Sequence, residues 1–100
     1  MKQGYVYILG NNRPTLYIGV TSDLNKRLNE HKAGEIEGFS NKYNLKKLLY
    51  FEYYEDINDA IAREKQLKRW HREWKLNLIK EMNPQFEDLS IDLDTETSSA

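Results

Sequence analysis

Two stretches of helical periodicity place chemically active side chains on faces that should be apolar. In the first stretch, Leu24 and Leu28 define an apolar stripe. At 3.6 residues per turn, Arg27 and His31 fall on that same stripe. An imidazole exchanges protons near neutral pH, and a guanidinium presents a planar fork of donors to an oxyanion. The purely structural alternative is an arginine whose stem covers apolar surface beside a hydrogen-bonded histidine.

The second stretch carries an acid in the same kind of position. Glu64 shares its helical face with Ile57, Ile61 and Leu67. An ionised carboxylate on such a face must be paired, hydrated in a cleft or bound to a metal ion. The structural alternative is a salt bridge, with Arg27 as the candidate partner.

Tyrosines line one face of a predicted β-hairpin. A hairpin centred near Asn12 places Tyr7 opposite Tyr17, and paired residues share a face of the sheet. That face carries Tyr5, Tyr7, Tyr17 and Gly19. The other face is apolar and is expected to be the core, with Val6, Ile8, Leu16, Ile18 and Val20. Tyrosines that only cover the sheet are the alternative. Taken with the two helical faces, these hydroxyls complete a set suited to phosphodiester hydrolysis: a base, a cation for phosphoryl charge and a hard ligand for a divalent ion.

Three strands and three helices must position these groups. The β-branched and aromatic residues predict strands at residues 5–9, Leu16–Thr21 and Lys47–Tyr54. The first helix is expected to begin after Thr21 and Ser22, one of which is its N-cap, and to end near Lys32. The second is expected from the N-cap Asp56 to about Trp70, and the third from residue 73 to 82, ahead of Pro84. The order β-β-α-β-α-α predicts an α+β domain, a small antiparallel sheet with helices packed on it.

Length and composition exclude several classes of protein. One hundred residues make one domain, and the absence of cysteine excludes a disulfide scaffold, thiol catalysis and a cysteine-ligated zinc site. The mean hydropathy is -0.84, and no apolar run approaches the ~18 residues of a membrane span. We find no signal peptide. We therefore expect a cytoplasmic protein without a membrane partner or a small-molecule cofactor.

The charge is unevenly distributed along the chain. Residues 87–100 contain five acids and no Lys or Arg, which leaves residues 1–86 with 15 basic and 11 acidic residues, a net charge of +4. We expect a folded domain over residues 1–89 and an acidic, Ser/Thr-rich, disordered tail over 90–100. Residues 61–80 hold seven Lys or Arg against two Glu, which is typical of a chain that contacts nucleic acid, with a solvated helix face as the structural alternative. The candidate nucleic-acid-binding residues are Arg63, Lys65, Lys68, Arg69, Arg72 and Lys75.

The sequence resembles the small single-domain bacterial branch of the GIY-YIG endonuclease superfamily. Its first tripeptide is Tyr5-Val6-Tyr7, where Tyr5 and Val6 stand in place of glycine and isoleucine, and its second, Tyr17-Ile18-Gly19, is intact. The segment from Asn83 to Leu89 is similar to the closing segment of that branch. The matching catalytic positions, in order, are Tyr7, Tyr17, Arg27, His31 and Glu64.

The resemblance implies a fold and a mechanism. The implied fold is a three-stranded antiparallel sheet flanked by helices, and the implied activity is metal-dependent, structure-specific cleavage of DNA in repair or recombination. Glu64 would hold one divalent ion, Mg²⁺ or Mn²⁺, weakly in the absence of substrate because a single carboxylate is a poor site. Tyr7 or Tyr17 would orient or deprotonate the attacking water, and Arg27 would bind the phosphate. His31 would hydrogen-bond a tyrosine hydroxyl or the phosphate.

One position departs from the family pattern. Glu87 stands where many members carry an asparagine that supports the metal site. This departure keeps a second function open, a nucleic-acid-binding module of the same fold that has lost efficient cleavage. A third, a protein-interaction domain in which the tyrosines and Glu64 are structural, predicts no salt-dependent DNA binding.

Overall fold

The computed structural model describes residues 2–11, 15–34 and 45–91 and contains a three-stranded antiparallel sheet with helices against both faces. Its elements are β1 (Gly4–Gly10), β2 (Leu16–Thr21), α1 (Leu24–Lys32), β3 (Lys47–Tyr54), α2 (Ile57–Arg69) and α3 (Arg72–Met82). The sheet order is β2-β1-β3, so β1 is the central strand. The predicted α+β class and element order are confirmed. Within the described ranges, no helix is long and apolar enough to cross a membrane.

The central strand divides the core into two halves. Val6 and Ile8 of β1 pack with Ala60 and Leu67 of α2, and α3 adds Ile79 to this half. On the opposite face, Tyr7 and Leu9 pack with residues of α1 and β3. Because strand side chains alternate between faces, one short strand supplies both halves. The apolar face is a core as expected, and the tyrosine face is covered as well.

The register of the hairpin differs from the prediction. Tyr7 lies opposite Gly19, and Tyr17 lies opposite Leu9. The physical reason is space: a Cβ on Gly19 would lie 2.5 Å from Cζ of Tyr7, so the aromatic ring needs a glycine as its neighbour. A shift of two residues keeps every side chain on its predicted face, because the period of a strand is two.

The helix termini follow from their capping residues. The N-cap of α1 is Asp23, whose carboxylate accepts a hydrogen bond from the Lys26 amide at 3.1 Å, so the expectation of Thr21 or Ser22 is wrong. The hydroxyl of Thr21 instead accepts from the Asp23 amide at 3.2 Å. Asp56 caps α2 as predicted, accepting from the Asn58 amide at 2.9 Å. A carboxylate accepts more strongly than a hydroxyl, which explains why aspartate takes the cap of α1.

After α3, residues 83–91 run along β3 and define a closing segment. Its first residue, Asn83, is 4% exposed and bonds through Nδ2 to the Leu49 and Glu87 carbonyls at 3.1 and 2.7 Å. Its Oδ1 accepts from the Glu87 amide at 2.9 Å. These bonds hold a turn in which Phe86 has a φ of 53°, in the left-handed region that non-glycine residues seldom adopt.

The closing segment also bonds to Leu48 of β3. The Leu48 amide donates to Oδ1 of Asp88 at 3.1 Å, and the Leu48 carbonyl accepts from the Leu89 amide at 2.8 Å. Ser90 is buried beneath these contacts. Residues 92–100, most of the predicted acidic tail, lie outside the described residues.

Replacing Asn83 with alanine should destabilise the fold. The change leaves the buried Leu49 carbonyl and the turn without their partner, at a cost of about 2 kcal/mol in the free energy of unfolding. Asn77→Ala, on the exposed side of α3, is the matched control and should change that free energy by less than ~0.5 kcal/mol. Urea unfolding of both variants measures the difference. Equal stabilities would show that the Asn83 bonds do not hold the closing segment.

Candidate active site

A tyrosine and a histidine are hydrogen-bonded to each other in the core. The hydroxyl of Tyr7 lies 3.1 Å from Nε2 of His31. The two residues are 2% and 4% exposed, so this hydrogen bond pairs two polar groups inside the core. β1 carries Tyr7 into the centre of the sheet, and α1 places His31 one turn after Leu28, on the stripe that faces it. The sequence therefore placed His31 on the correct side of its helix.

Tyr17 completes a cluster of three rings. Its ring centroid lies 6.2 Å from that of Tyr7 and 5.7 Å from that of His31, and it meets the His31 ring edge to face. Gly19, two residues further along β2, leaves the space into which the Tyr7 ring fits. The intact tripeptide Tyr17-Ile18-Gly19 thus has a direct structural reading: one residue adds a ring to the cluster and another makes room for Tyr7.

The pKa values of the pair move in opposite directions. Burial raises the pKa of Tyr7 far above its usual range, the Tyr17 and Glu64 charges raise it further, and the Arg27 charge opposes the rise. Burial also lowers the pKa of His31 below its usual 6.5, and the Arg27 charge lowers it further. At neutral pH Tyr7 is therefore protonated and His31 is neutral. With the imidazole proton on Nδ1, Nε2 accepts a hydrogen bond from the Tyr7 hydroxyl.

Arg27 carries a buried donor that has no hydrogen-bond partner among the described residues. This donor is its Nε, which lies 3.8 Å from Oε1 of Glu30, beyond hydrogen-bond distance. The side chain as a whole is 39% exposed, so its charged end also reaches solvent. A surface groove of about 280 Å³ beside it is lined by Thr21, Ser22, Asp23, Lys26, Arg27 and Glu30. A donor left open next to an accessible groove is suited to an anionic group.

Glu64 is the acid of the site. Its side chain is 15% exposed, and Oε2 lies 3.3 Å from Nζ of Lys68, which is itself 54% exposed. The expected structural alternative was a bridge to Arg27, whereas the ion pair formed is with Lys68. An ion pair with so exposed a lysine contributes little to stability, so it does not account for the acid on this face.

The donors present fit one kind of cation site. Residues 2–11, 15–34 and 45–91 contain no group of three or more His, Cys, Asp or Glu side chains able to enclose a metal ion. A single carboxylate such as Glu64 fits a hard cation that keeps its waters and takes further oxygens from a phosphate.

The predicted nucleic-acid-binding residues separate into two groups. Lys65, Lys68, Arg69 and Arg72 are exposed, and Lys75 is half-buried. Arg63 differs, because its Nε lies 3.0 Å from Oε1 of Glu52, its Nη2 3.1 Å from Oε2, and its Nη1 donates to Gln66 at 2.8 Å. The guanidinium of Arg63 is thus held by groups within the protein.

The Glu52 cluster was missed by the sequence analysis. The hydroxyls of Tyr50 and Tyr54 donate to Glu52 at 2.5 and 2.7 Å, beside the three hydrogen bonds from Arg63. Burial acts to raise the pKa of Glu52, but the hydrogen bonds from Arg63, Tyr50 and Tyr54 outweigh it and hold that pKa below its usual value. A usable signal was present: strand alternation puts this acid on the face of Val6, where a charge needs a partner.

This fold is that of a known class of protein. The family model described as the GIY-YIG catalytic domain matches residues 3–77, and the chain belongs to that family. The resemblance read from the two tripeptides is confirmed.

Relatives of similar length carry the name UPF0213 protein. The chain is 38% identical to one from Syntrophus aciditrophicus over 89 residues, covering 85% of this chain and 98% of the relative. It is 35% identical to one from Staphylococcus aureus, covering 81% and 99%. Among solved structures, the solution structure of a UPF0213 protein from Bacillus halodurans has the same fold, with a TM-score of 0.56 and 23% identity over 86% of this chain and 92% of that one.

His31 should make stability fall as the pH falls below its usual pKa. The pKa of His31 is lower in the folded chain than in the unfolded chain. Below about pH 6.5 the unfolded chain therefore binds more protons than the folded chain does. We expect the free energy of unfolding to drop by at most about 1.4 kcal/mol per pH unit in this window. The lowered pKa values of Glu52 and Asp88 act in a separate window, below their usual 4.5 and 3.8.

The measurement is urea unfolding between about pH 7.5 and 5.5, the interval around the usual histidine pKa. His31→Gln keeps a polar partner for Tyr7 and should flatten the dependence, whereas His71→Gln, at an exposed position, should preserve it. A slope that survives in His31→Gln would assign the effect to another group.

Proposed function

We propose that this chain is an endonuclease that hydrolyses DNA phosphodiester bonds with the help of one divalent metal ion. The observation that carries the proposal is the buried Tyr7–His31 hydrogen bond, with the open donor of Arg27 and the carboxylate of Glu64 acting on the same tyrosine. Membership of the GIY-YIG family supports nuclease chemistry. We further propose that the activity serves DNA repair or recombination in the cytoplasm.

Arg27 binds the reacting phosphate in this mechanism. Its Nε has no acceptor among the described residues, and the exposed part of its guanidinium lines a groove in which phosphate oxygens can be bound. A guanidinium fork can hold two oxygens at once, and its attraction grows as negative charge builds on the phosphoryl group. The exposed cations of α2 and α3 hold the neighbouring DNA backbone.

Tyr7 and His31 move the proton of the attacking water. A tyrosine with so high a pKa is a poor base by itself, because it would have to become an anion in the core. The neutral imidazole removes this difficulty: Nε2 of His31 takes the hydroxyl proton as the Tyr7 oxygen takes one from water. Tyr7 then stays neutral throughout, and the resulting hydroxide attacks the phosphorus. Tyr17, at the edge of the ring cluster, orients the water.

Glu64 holds the cation. Mg²⁺ or Mn²⁺ at this carboxylate would neutralise charge on the phosphate and on the departing oxygen. Breaking the contact between Lys68 and Oε2 of Glu64 requires little free energy, because the lysine is largely exposed. The carboxylate is thus available once a phosphate brings further oxygen ligands.

The substrate is selected by backbone shape in this proposal. Lysine and arginine contacts to phosphates position a protein on DNA but carry no base sequence. Branched or damaged DNA offers phosphates in arrangements that a regular duplex lacks, so such forms are the proposed substrates.

Glu64→Gln should abolish metal-dependent cleavage and leave the fold intact. The amide keeps the shape and loses the charge that holds the cation, while only a weak ion pair with Lys68 is lost, so the free energy of unfolding should change by less than ~1 kcal/mol. The measurement combines a melting curve with cleavage of plasmid and branched DNA in Mg²⁺, Mn²⁺ or chelator.

The control and the alternatives use the same assays. Glu81→Gln removes an exposed acid of α3 and should cleave as the wild type does. Normal cleavage by folded Glu64→Gln would refute its role as the metal ligand. A wild-type protein that binds DNA but never cleaves it would instead support the binding module, and one that binds none would support the protein-interaction domain.

Tyr7→Phe should remove turnover while DNA binding persists. The phenyl ring still fills the space against Gly19, but the proton relay loses its middle member, which should lower the cleavage rate ~100-fold or more. Tyr53→Phe, at a side chain 52% exposed, is the matched control and should be neutral. Single-turnover rates and DNA affinity in chelator separate the two effects. A rate loss equal in both variants would exclude a special role for Tyr7.

A further inference from the structure

An aromatic cluster lies at the junction between α2 and α3. Trp70 is the C-cap of α2, and His71 is the N-cap of α3. The Trp74 ring meets the Trp70 ring edge to face at 6.0 Å and the His71 ring at 5.0 Å. We call these three residues the aromatic cluster.

The two tryptophans differ in their burial and in their contacts. Trp70 is half-buried against the core, and the Arg63 guanidinium lies 5.1 Å from its ring centroid. Trp74 is 53% exposed although its indole is the largest apolar side chain available to a protein. Its two edge-to-face contacts fix the ring and leave a broad part of it in solvent. A rigid, exposed aromatic ring suits stacking with a flat ligand.

Basic residues flank the aromatic cluster in the sequence. Arg69 ends α2, Arg72 begins α3 and Lys75 follows Trp74, with Glu73 as the nearby acid. Arg69 and Arg72 are exposed. A ligand that pairs with an aromatic ring and also with several cations is itself flat and anionic. Nucleotides with unpaired bases have both properties, and proteins that bind single strands combine these same two features.

The aromatic cluster follows the helix that carries the proposed metal ligand. Glu64 and Arg69 belong to α2, and at 1.5 Å per residue they are separated by about 7.5 Å along the helix axis. Trp70 follows immediately. At 3.6 residues per turn Glu64 and Arg69 also lie about 140° apart around that axis, so a substrate strand that contacts both must pass around α2 as well as along it.

We propose that Trp74, supported by Trp70 and His71, is a stacking site for an unpaired base of the DNA substrate. The cations on either side hold the phosphates that flank this base. The proposal deepens the proposed function, because it takes DNA as the ligand, and it names the substrate class as DNA with an unpaired segment beside a duplex. Base–aromatic stacking tolerates any base, so the site selects for unpaired structure and not for sequence.

Intrinsic fluorescence tests the proposal directly. Trp70 and Trp74 are the two tryptophans of the chain, so the whole tryptophan signal comes from this cluster. The probes are a blunt duplex and the same duplex with a short unpaired adenine extension, both in chelator so that no cleavage intervenes. We expect the extended duplex to quench the fluorescence and to bind about tenfold more tightly than the blunt one. Equal quenching and equal affinity for the two probes would overturn the proposal.

Variants separate stacking from charge. Trp74→Ala should bring the affinities for the two probes to within ~twofold of each other, and Trp74→Phe should retain most of the preference because a phenyl ring still stacks. Lys75→Gln should weaken both probes equally and reduce the salt slope by about 0.9, whereas Trp74→Ala should leave that slope unchanged. Met82→Ala, also an exposed apolar change in α3, is the control and should keep the preference. A preference that persists in Trp74→Ala would overturn the proposal.

The two proposals fail in distinguishable ways. If the wild type quenches and prefers the extended probe but never cleaves DNA in Mg²⁺ or Mn²⁺, the nuclease function fails and the stacking site is supported. If the wild type cleaves branched DNA and Trp74→Ala keeps the wild-type preference for unpaired ends, the stacking site fails and the nuclease function stands.

Discussion

A buried hydroxyl in the middle of the central strand organises the molecule. Tyr7 stands where an apolar residue would be expected, and its oxygen must be satisfied inside the core. The imidazole of His31 supplies the partner, which joins α1 to the sheet, and Gly19 supplies the space. Loss of the imidazole removes this partner of the hydroxyl, and a side chain at position 19 would clash with the Tyr7 ring. Stability and the geometry of the proposed chemistry therefore depend on the same contact.

The two halves of the core contain different polar pairs. The α1 half contains the buried tyrosine and its histidine, whereas the half under α2 contains the ion pair between Glu52 and Arg63. Arg63 directly precedes Glu64 in the chain. Because Arg63 is tied to Glu52 of β3 by several hydrogen bonds, the rotation of α2 about its axis is fixed, and with it the position of Glu64. A network remote from the phosphate groove thus sets where the proposed metal ligand lies.

Local patterns were enough to predict the elements but not how they meet. Alternation in the strands and the 3.6-residue repeat gave the three strands, the three helices and the face of His31. The hairpin register could not follow, since a shift of two residues leaves the face pattern unchanged and only the fit of the Tyr7 ring against Gly19 decides it. The pair of Glu52 with Arg63 was missed for a related reason: its members are joined by packing between a strand and a helix, which no spacing within either element reveals. The cap of α1 was assigned to Thr21 or Ser22 because both are good capping residues, whereas Asp23 holds that position.

The closing segment has a consequence for how the protein behaves in a crowded solution. An edge strand with unpaired amides and carbonyls is a template on which another chain can add a strand. Leu48 offers neither group, because Asp88 and Leu89 already occupy its amide and its carbonyl. Ser90 and Asp88 also hold the ammonium of Lys32, the last residue of α1. The segment therefore blocks strand addition at Leu48 and, through Lys32, joins that part of the sheet edge to the C-terminus of the helix that carries His31.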